Sequence, residues 1–283
     1  LTSLALLGLL EPELWSTRGR VLLEDENRDI LKLDENSRRE LRGKNIAAVM
    51  QNPMGSFNPL FTIREHFSES IRSHSDFTGK EDFDTVHEML ERAGLDDPGR
   101  ILGRYPFQLS GGMLQRVMIA LAMLMQPSVL IADEPTTSLD VTVQYQILLE
   151  LQKLRRDYGT SMLFVSHDLG VVSHMADEVA VMYYGHIVEQ APVKELFNRP
   201  LHPYTRGLMS SKPAFSKDRL KAIEGYPPNM KNELEGCPFL ERCFCNMDGC
   251  ESFDMNMSLV SRGHSVRCLR QSGCEGGKRY AHA

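Results

Sequence analysis

The sequence predicts an α/β fold in which helices alternate with the short strands of a largely parallel sheet. Residues 117–125 form an apolar run whose Leu, Met and Ala content suits a buried helix. Pro127 ends that run, and residues 129–132 are a short apolar segment typical of a strand covered on both faces. Similar short strands are predicted at 46–50 and 161–165. In such folds ligands bind at the carboxyl ends of the strands.

Two adjacent acidic residues, Asp133 and Glu134, follow the strand predicted at 129–132. Two carboxylates at this edge of a sheet are costly unless a cation is present. Mg²⁺ held through its waters by Asp133, with Glu134 orienting an attacking water, accounts for both acids. A solvated acidic turn is the alternative that these two residues leave open.

Ser110, Gly111 and Gly112 stand immediately before the predicted buried helix. Ser110 is the expected N-cap, and a helix start without bulky side chains exposes backbone N–H groups to which a phosphate can come close. A serine cap with a purely structural role is the alternative, because such caps are common.

Four motifs carry a resemblance to a known family. They are LSGGM at 109–113, LIADEP at 130–135, TTSLD at 136–140 and VSHD at 165–168. In this order and spacing they resemble, respectively, the signature, Walker B, D-loop and switch-histidine motifs of ABC-transporter ATPases. The resemblance covers nearly the whole chain and is strongest to the ATP-binding subunits of peptide and nickel importers. It implies a P-loop NTPase-like ABC ATPase core at 1–211, with a helical subdomain at about 60–125, and a small C-terminal cysteine-rich module at 212–283.

The resemblance also implies an activity, the hydrolysis of ATP to ADP and phosphate, which drives import of a peptide, nickel or a metal chelate. Asp133 would hold Mg²⁺ through water, and Glu134 would polarise the attacking water. Gln51 would contact Mg²⁺ and that water, and His167 would contact the γ-phosphate. From position alone, Gln51 is a polar residue at a strand end, and a lone histidine is more often a surface or core residue.

The resemblance implies that the functional unit is a dimer. In ABC dimers the signature of one subunit contacts the ATP of the other, which assigns Ser110, Gly111 and Gly112 to the ATP of a partner. Asp140 is expected to cap the helix predicted at 141–156, and the loop at 137–140 would cross the dimer interface. The implied partners are a second ABC ATPase subunit, identical or paralogous, two integral membrane permease subunits and, indirectly, an extracytoplasmic solute-binding protein. The expected location is peripheral, on the cytoplasmic face of the membrane.

One expected motif does not occur. The phosphate-binding loop GxxxxGK[ST] is not found in the chain, although every downstream motif is intact. The expectation is a partial sequence that starts just after that loop, with residues 1–10 as the helix that follows it.

Two alternative functions remain open. One is a non-hydrolytic partner subunit that acts through its signature motif, and the other is a soluble ABC ATPase of DNA repair or translation.

Length and charge set the broad class. The chain has 283 residues, a formal net charge of −6 and a pI near 5.9, so it shows no basic footprint for nucleic acid. Its longest apolar stretches fall short of the roughly 18 residues that a membrane span needs.

All six cysteines lie beyond residue 236, which argues for one local site. Cys237, Cys243, Cys250 and Cys268 lack the CxxC pairs of a zinc ribbon. Their spacing resembles the four-cysteine segment of peptide-importer ATPases, for which a 4Fe-4S cluster is the implied cofactor. The alternative is four reduced thiols without metal. His264 is a candidate substitute ligand, although the four cysteines are favoured. The pattern does not require Cys245 or Cys274.

The remaining elements are predicted from local pattern. They comprise a hairpin around the polar turn at 24–27, a short helix at 37–41, helices at 63–72 and 83–93 with Gly94 as C-cap, a hairpin at 179–190, and a loop-rich tail from residue 213.

Overall fold

The computed structural model describes residues 1–11, 13–23, 28–74, 80–137, 139–211, 222–229 and 235–270. The chain divides into two compact units, Leu1–His167 and Asp168–Ala283. Each unit is described by itself.

The first unit is built on a parallel sheet. Strands β1 (Leu22–Leu23) and β2 (Arg28–Asp29) form a small antiparallel pair. Strands β3 (Ile46–Val49), β4 (Val129–Asp133) and β5 (Ser161–Val165) form a three-stranded parallel sheet in the order β3-β4-β5. The predicted α/β fold is therefore confirmed, and the three predicted strands run side by side with their carboxyl ends at one edge.

Helices make up most of the rest of this unit. They are α1 (Thr2–Leu6), α2 (Glu35–Leu41), α3 (Pro53–Ser56), α4 (Ile63–His74), α5 (Lys80–Arg92), α6 (Pro98–Leu102), α7 (Gly111–Met123) and α8 (Val141–Tyr158). Helices α3 to α7 all lie between β3 and β4 in the chain. The predicted helices at 37–41, 63–72, 83–93 and 141–156 correspond to α2, α4, α5 and α8.

Helices α4 to α7 share an apolar core. Phe67 of α4, Leu90 of α5, Leu102 of α6 and Leu114 of α7 are each 0% exposed. Burying such side chains stabilises each by about 1.5–3 kcal/mol relative to leaving it in water. This core holds together the region predicted as the helical subdomain, and it fixes the direction in which α7 begins.

Two predicted elements are shorter than expected. Helix α1 ends early because Gly8 adopts a φ of 65° and the Leu9 N–H bonds back to the Leu4 carbonyl, as in a Schellman motif. In the predicted hairpin, the second strand stops at Asp29. Its side chain accepts from the Leu31 N–H and caps a 3₁₀ turn, Ile30–Lys32, so the chain curls where an extended strand was predicted.

The second unit contains helices α9 (Leu169–Met175), α10 (Val193–Asn198) and α11 (Pro203–Ser210). Its strands are β6 (Glu178–Tyr183), β7 (His186–Pro192), β8 (Ser258–Ser261) and β9 (His264–Val266), paired antiparallel in the order β6-β7-β9-β8. Tyr184 and Gly185 join β6 to β7 with φ values of 49° and 77°, which is the conformation of a tight hairpin turn. The hairpin predicted at 179–190 is confirmed.

The tail contains more regular structure than the sequence predicted. Strand β9 pairs with β7 and with β8, so the tail completes the sheet of the second unit. Phe239, 1% exposed, lies in the same apolar core as Val181, Tyr183 and Val188 of the β6–β7 hairpin. The prediction of a loop-rich tail missed these strands because β8 and β9 are only four and three residues long.

No helix in these described ranges combines the length and apolar character required to cross a bilayer.

Candidate active site

Three polar side chains meet at the carboxyl edge of the parallel sheet. Gln51 follows β3, Glu134 follows β4, and His167 follows β5. Because the strands are parallel and neighbouring, their ends come together although the residues are up to 116 positions apart in the chain (167 − 51). The family resemblance assigned these three residues to one ATP site, and the structure brings their side chains together.

Glu134 lies at the centre of a hydrogen-bonded cluster. Its Oε1 is 2.9 Å from His167 Nδ1, and its Oε2 accepts from Gln51 Nε2 at 3.1 Å and from Thr137 Oγ1 at 2.7 Å. The hydrogen bond from His167, followed by that from Thr137, lowers the pKa of the Glu134 carboxyl below its ordinary value. The carboxylate is therefore held ionised and aimed by three side chains from different segments.

The backbone at Glu134 is in an unusual conformation. Its φ is 48°, in the left-handed region that few residues other than glycine adopt, and its N–H donates to the Val165 carbonyl at 2.9 Å. Such a conformation persists only where the surroundings enforce it, and it is most common at functional sites. Here it turns the side chain back over the strand ends toward Gln51 and His167.

Asp133 has a partner that the sequence did not suggest. The Ser3 hydroxyl donates to Asp133 Oδ2 at 2.8 Å, across 130 positions of the chain, and Ser3 is 3% exposed. The one available signal was a serine within the apolar run LTSLALL. The Asp133 carboxylate is thereby oriented from α1.

The signature residues lie at the start of α7. Ser110 is the N-cap, as predicted, and its hydroxyl accepts from the Met113 N–H at 3.3 Å. Asp140 caps α8, as predicted, with Oδ1 accepting from the Val143 N–H at 3.0 Å. Within the described residues, the hydrogen bonds of the Glu134 cluster do not include Ser110, Gly111, Gly112 or Asp140. The chain thus presents two separate sets of predicted site residues.

The start of α7 lies against the start of α8. A Cβ atom on Gly112 would be 2.8 Å from Val143 Cγ1, and one on Gly111 would be 3.7 Å from Leu139 Cδ2. The helices approach so closely at Gly112 that a side chain there would require a shift of Val143 or of the helix.

The four predicted cysteine ligands line one cavity in the second unit. Cys237, Cys243, Cys250 and Cys268 carry no disulfide, and they share the cavity with Cys245 and His202. Burial, with a smaller contribution from the neighbouring thiols, raises the pKa of the Cys243 thiol to about 12 and that of the Cys268 thiol to about 11. Cys274 lies outside the described residues.

These thiols are not arranged around a single metal ion. Across the described ranges, no three His, Cys, Asp or Glu side chains stand close enough to hold one ion together. His264, the predicted substitute ligand, points elsewhere. Its Nε2 is 2.8 Å from Glu189 Oε1, and both side chains are buried, at 1% and 0% exposure. The Glu189 carboxylate also accepts from the Leu201 and His202 N–H groups, so His264 is part of a closed polar network.

Comparison with known families and relatives agrees with these motifs. The ABC transporter family matches residues 3–137, and the family described as "Oligopeptide/dipeptide transporter, C-terminal region" matches residues 188–250. A putative peptide import ATP-binding protein of Brucella ovis is 41% identical, over 95% of this chain and 83% of that protein. The dipeptide transport ATP-binding protein DppD of Bacillus subtilis is 40% identical, over 95% of this chain and 81% of that protein.

Solved structures show the same fold. The dimeric, post-hydrolysis structure of the ATP-binding cassette MJ0796 bound to ADP and Pi matches with a TM-score of 0.55 and 28% identity, over 62% of this chain and 74% of that one. The structure of cbiO1 from Clostridium perfringens, part of the ABC transporter complex cbiONQ, matches with a TM-score of 0.55 and 26% identity, over 69% of this chain and 73% of that one. The chain belongs to the ATP-hydrolysing ATP-binding proteins of ABC transporters, in the branch that carries the oligopeptide/dipeptide C-terminal region.

Proposed function

We propose that this protein is the subunit that hydrolyses ATP to power import of peptides, with Glu134 as the residue that orients the attacking water. The observation that carries the proposal is the Glu134 cluster, in which an ionised carboxylate is aimed by His167, Gln51 and Thr137. Peptides are favoured over nickel because the Brucella ovis and Bacillus subtilis relatives are named for peptide and dipeptide transport.

The proposed contact of His167 with the γ-phosphate depends on which ring nitrogens carry a proton. The ionised Glu134 carboxylate accepts only, so His167 Nδ1 carries the proton in their 2.9 Å contact. Nε2 then donates to a γ-phosphate only when the ring is an imidazolium. Such a cation next to the leaving phosphate would stabilise the charge that develops on it.

Asp133 is the proposed ligand of Mg²⁺, acting through water. Its carboxylate oxygens suit a hard cation, and the Ser3 hydroxyl at Oδ2 orients the group. When bound, Mg²⁺ would neutralise charge on the β- and γ-phosphates. Gln51, through its contact with Glu134, would report occupancy of this site to the loop that follows β3.

The proposed dimer explains why the signature is separate from the Glu134 cluster. Ser110, Gly111 and Gly112 would contact ATP held by a second ABC ATPase subunit, and Asp140 lies in the loop that would cross the interface. The exposed N–H groups at the start of α7 and its helix dipole suit a phosphate. In this arrangement each chain contributes to two ATP sites.

The proposed membrane partners are two permease subunits, which would hold the protein on the cytoplasmic face of the membrane. An exposed apolar surface supports this. Leu60 and Phe107 are 80% and 61% exposed, Tyr105 stacks on Phe107, and the Ile63 N–H bonds the Arg104 carbonyl and so joins the two loops. A short permease helix would cover this surface.

A 4Fe-4S cluster is the proposed occupant of the cysteine cavity. In such a cluster each thiolate binds a different iron atom, so four thiols around a cavity fit it although they do not converge on one ion. Loss of the thiol protons, whose pKa values are raised by burial, would be offset by bonds to iron. Bound there, the cluster would cross-link the segments at 237–250 and 268.

Replacing Glu134 with Gln tests the proposed function. The amide keeps the size of the side chain but cannot polarise water, so we expect ATP turnover by the protein as the gene encodes it, assembled with its partners, to fall by at least about 100-fold. ATP binding should persist and an ATP-bound dimer should accumulate. Glu178→Gln, at an exposed position in β6, is the matched control and should keep full activity. Turnover by Glu134→Gln at the rate of the unmodified protein would rule out the assigned role.

A further inference from the structure

Arg116 joins three segments of the first unit. Its Nη1 donates to the Gly94 carbonyl at 2.6 Å, and its Nη2 is 3.1 Å from Gln146 Oε1 and 3.0 Å from Glu150 Oε1. Gly94 follows the end of α5, Arg116 is in α7, and Gln146 and Glu150 are one turn apart on α8. One guanidinium therefore connects two helices of the predicted helical subdomain to α8.

The packing at this junction leaves no spare room. Gly94 has a φ of 77°, and a Cβ atom there would lie 2.4 Å from Glu150 Oε1 and 2.8 Å from Arg116 Nη1. Only glycine allows the end of α5 to come this close to the ion pair. The contact of Arg116 with α8 therefore depends on a residue without a side chain at position 94.

The junction depends strongly on the arginine. The Arg116 and Glu150 side chains are only 17% and 18% exposed, and Glu150 Oε2 is buried without a hydrogen bond in the described part of the chain. Removing the guanidinium would leave a partly buried carboxylate and the Gly94 carbonyl without their partner. Loss of one member of such a pair disrupts a structure more than the pair itself stabilises it.

The same face of α7 carries the signature. Gly112 lies four residues before Arg116, and therefore on the same side of the helix, where it contacts Val143 of α8. The helix α8 begins at the cap Asp140. Along this face, close packing at Gly112 and the Arg116 junction together set the position of Ser110 relative to Asp140.

We propose that Arg116 is a positioning residue that holds the signature and the loop at Asp140 as one rigid body for closure onto the ATP of the partner subunit. This inference rests on the proposed function, in which Ser110, Gly111 and Gly112 act in the partner's site. Without Arg116 the start of α7 shifts on α8, and the two segments no longer meet the partner together. Binding of ATP to the chain's own Glu134 side is not affected, because Arg116 does not contact that cluster.

The test measures ATP-dependent dimerisation in a Glu134→Gln background, using the protein as the gene encodes it together with its partner ATPase subunit. We expect Arg116→Met to weaken dimerisation in ATP by about tenfold or more, because small misplacements of a binding group are costly. Binding of ATP to the undimerised protein should change less than about twofold. Arg116→Lys should be intermediate, because one ammonium group cannot reach Gly94 and α8 at once.

Arg92→Met is the matched control. Arg92 also links the helical region to α8, through Asp157 at 3.4 Å, but it is more exposed and distant in sequence from the signature. Its variant should dimerise like the parent. Normal dimerisation by folded Arg116→Met or Arg116→Lys would overturn the inference, as would parallel loss of ATP binding and dimerisation. A Glu134→Gln parent that binds ATP and does not dimerise would overturn the proposed function, and this inference with it.

Discussion

At the scale of single residues, the role of each carboxylate depends on the hydrogen-bond donors around it and on its exposure to solvent. Glu134 is surrounded by donors at a strand edge open to a ligand, and Glu189 is enclosed by donors with no exposure at all. The first arrangement leaves a charged group available to substrate. The second satisfies the charge internally, which is the pattern of a structural carboxylate.

His202 is a buried residue whose protonation should affect stability. It is 1% exposed, its Nδ1 accepts from the Tyr204 N–H, and burial lowers its pKa from 6.5 to about 4. An unfolded chain therefore binds a proton on His202 between pH 6.5 and pH 4 that the folded chain does not. The contribution of His202 to the free energy of unfolding is fully present above pH 6.5. It is lost as the pH falls toward 4, and the loss is about 3 kcal/mol at most.

We predict that His202→Asn reduces this loss of stability in acid. The asparagine Oδ1 can still accept from the Tyr204 N–H but does not titrate. The measurement is the free energy of unfolding in urea at pH 7 and pH 4.5, compared with His186→Asn, which alters an exposed histidine in β7. An equal fall in stability for the His202 variant and the unmodified protein would contradict the prediction.

At the scale of elements, the α7–α8 contact decides where the signature lies. Alanine favours a helix over glycine by about 1 kcal/mol, so propensity alone predicts that Gly112→Ala stabilises α7. The 2.8 Å approach of a Cβ atom to Val143 Cγ1 opposes this, since the two helices would have to separate or Val143 would have to rotate.

We therefore expect Gly112→Ala to keep the protein folded but to lower ATPase activity by about tenfold, a consequence of the displaced signature. The double variant Gly112→Ala/Val143→Ala removes the clashing methyl group and should recover most of the activity. Val143→Ala alone serves as the control for the lost methyl groups. Failure of the double variant to recover would contradict this explanation, because the added methyl group would then lower activity by some means other than its contact with Val143.

How far the sequence predicts this site depends on whether its contacts are local. Strand ends and helix caps were predicted, because periodicity and caps are short-range signals. The assignment of Gln51, Glu134 and His167 to one site came from the family resemblance, and the neighbouring parallel strands bring these residues together. The contacts of Ser3 with Asp133, Arg116 with Glu150 and Glu189 with His264 were not. Each joins residues far apart in the chain, and no local sequence pattern relates the two members of a pair.

At the scale of the whole molecule, the second unit is completed by segments from two distant parts of the chain. The β6–β7 hairpin supplies half of the sheet, and β8 and β9 of the tail supply the other half. The family boundary predicted at residue 211 falls between these halves, and it remains a prediction about family architecture. For the physical chain, the tail is part of the core that contains Phe239 and Val188.

The proposed 4Fe-4S cluster should contribute to the stability of this unit. We predict that Cys243→Ser, prepared without oxygen, loses iron and inorganic sulfide and lowers the unfolding temperature, because the cross-link between the cysteine segments is lost. Iron and sulfide analysis with thermal unfolding provides the measurement. Met247→Leu, at an exposed position between Cys243 and Cys250, should retain the metal. Unmodified protein that contains no iron when prepared in this way would exclude the cluster.

The pairing of β7 with β9 also means that this sheet can be completed only after the tail has been synthesised. Glu189 in β7 lies 75 residues before its partner His264. At about 5–20 residues per second, a ribosome needs roughly 4 to 15 s to make the intervening chain. During that interval the newly made β7 has an open edge and a carboxylate without its histidine. Nascent chains of this protein therefore present a strand edge on which chaperones or other chains can act before the tail arrives.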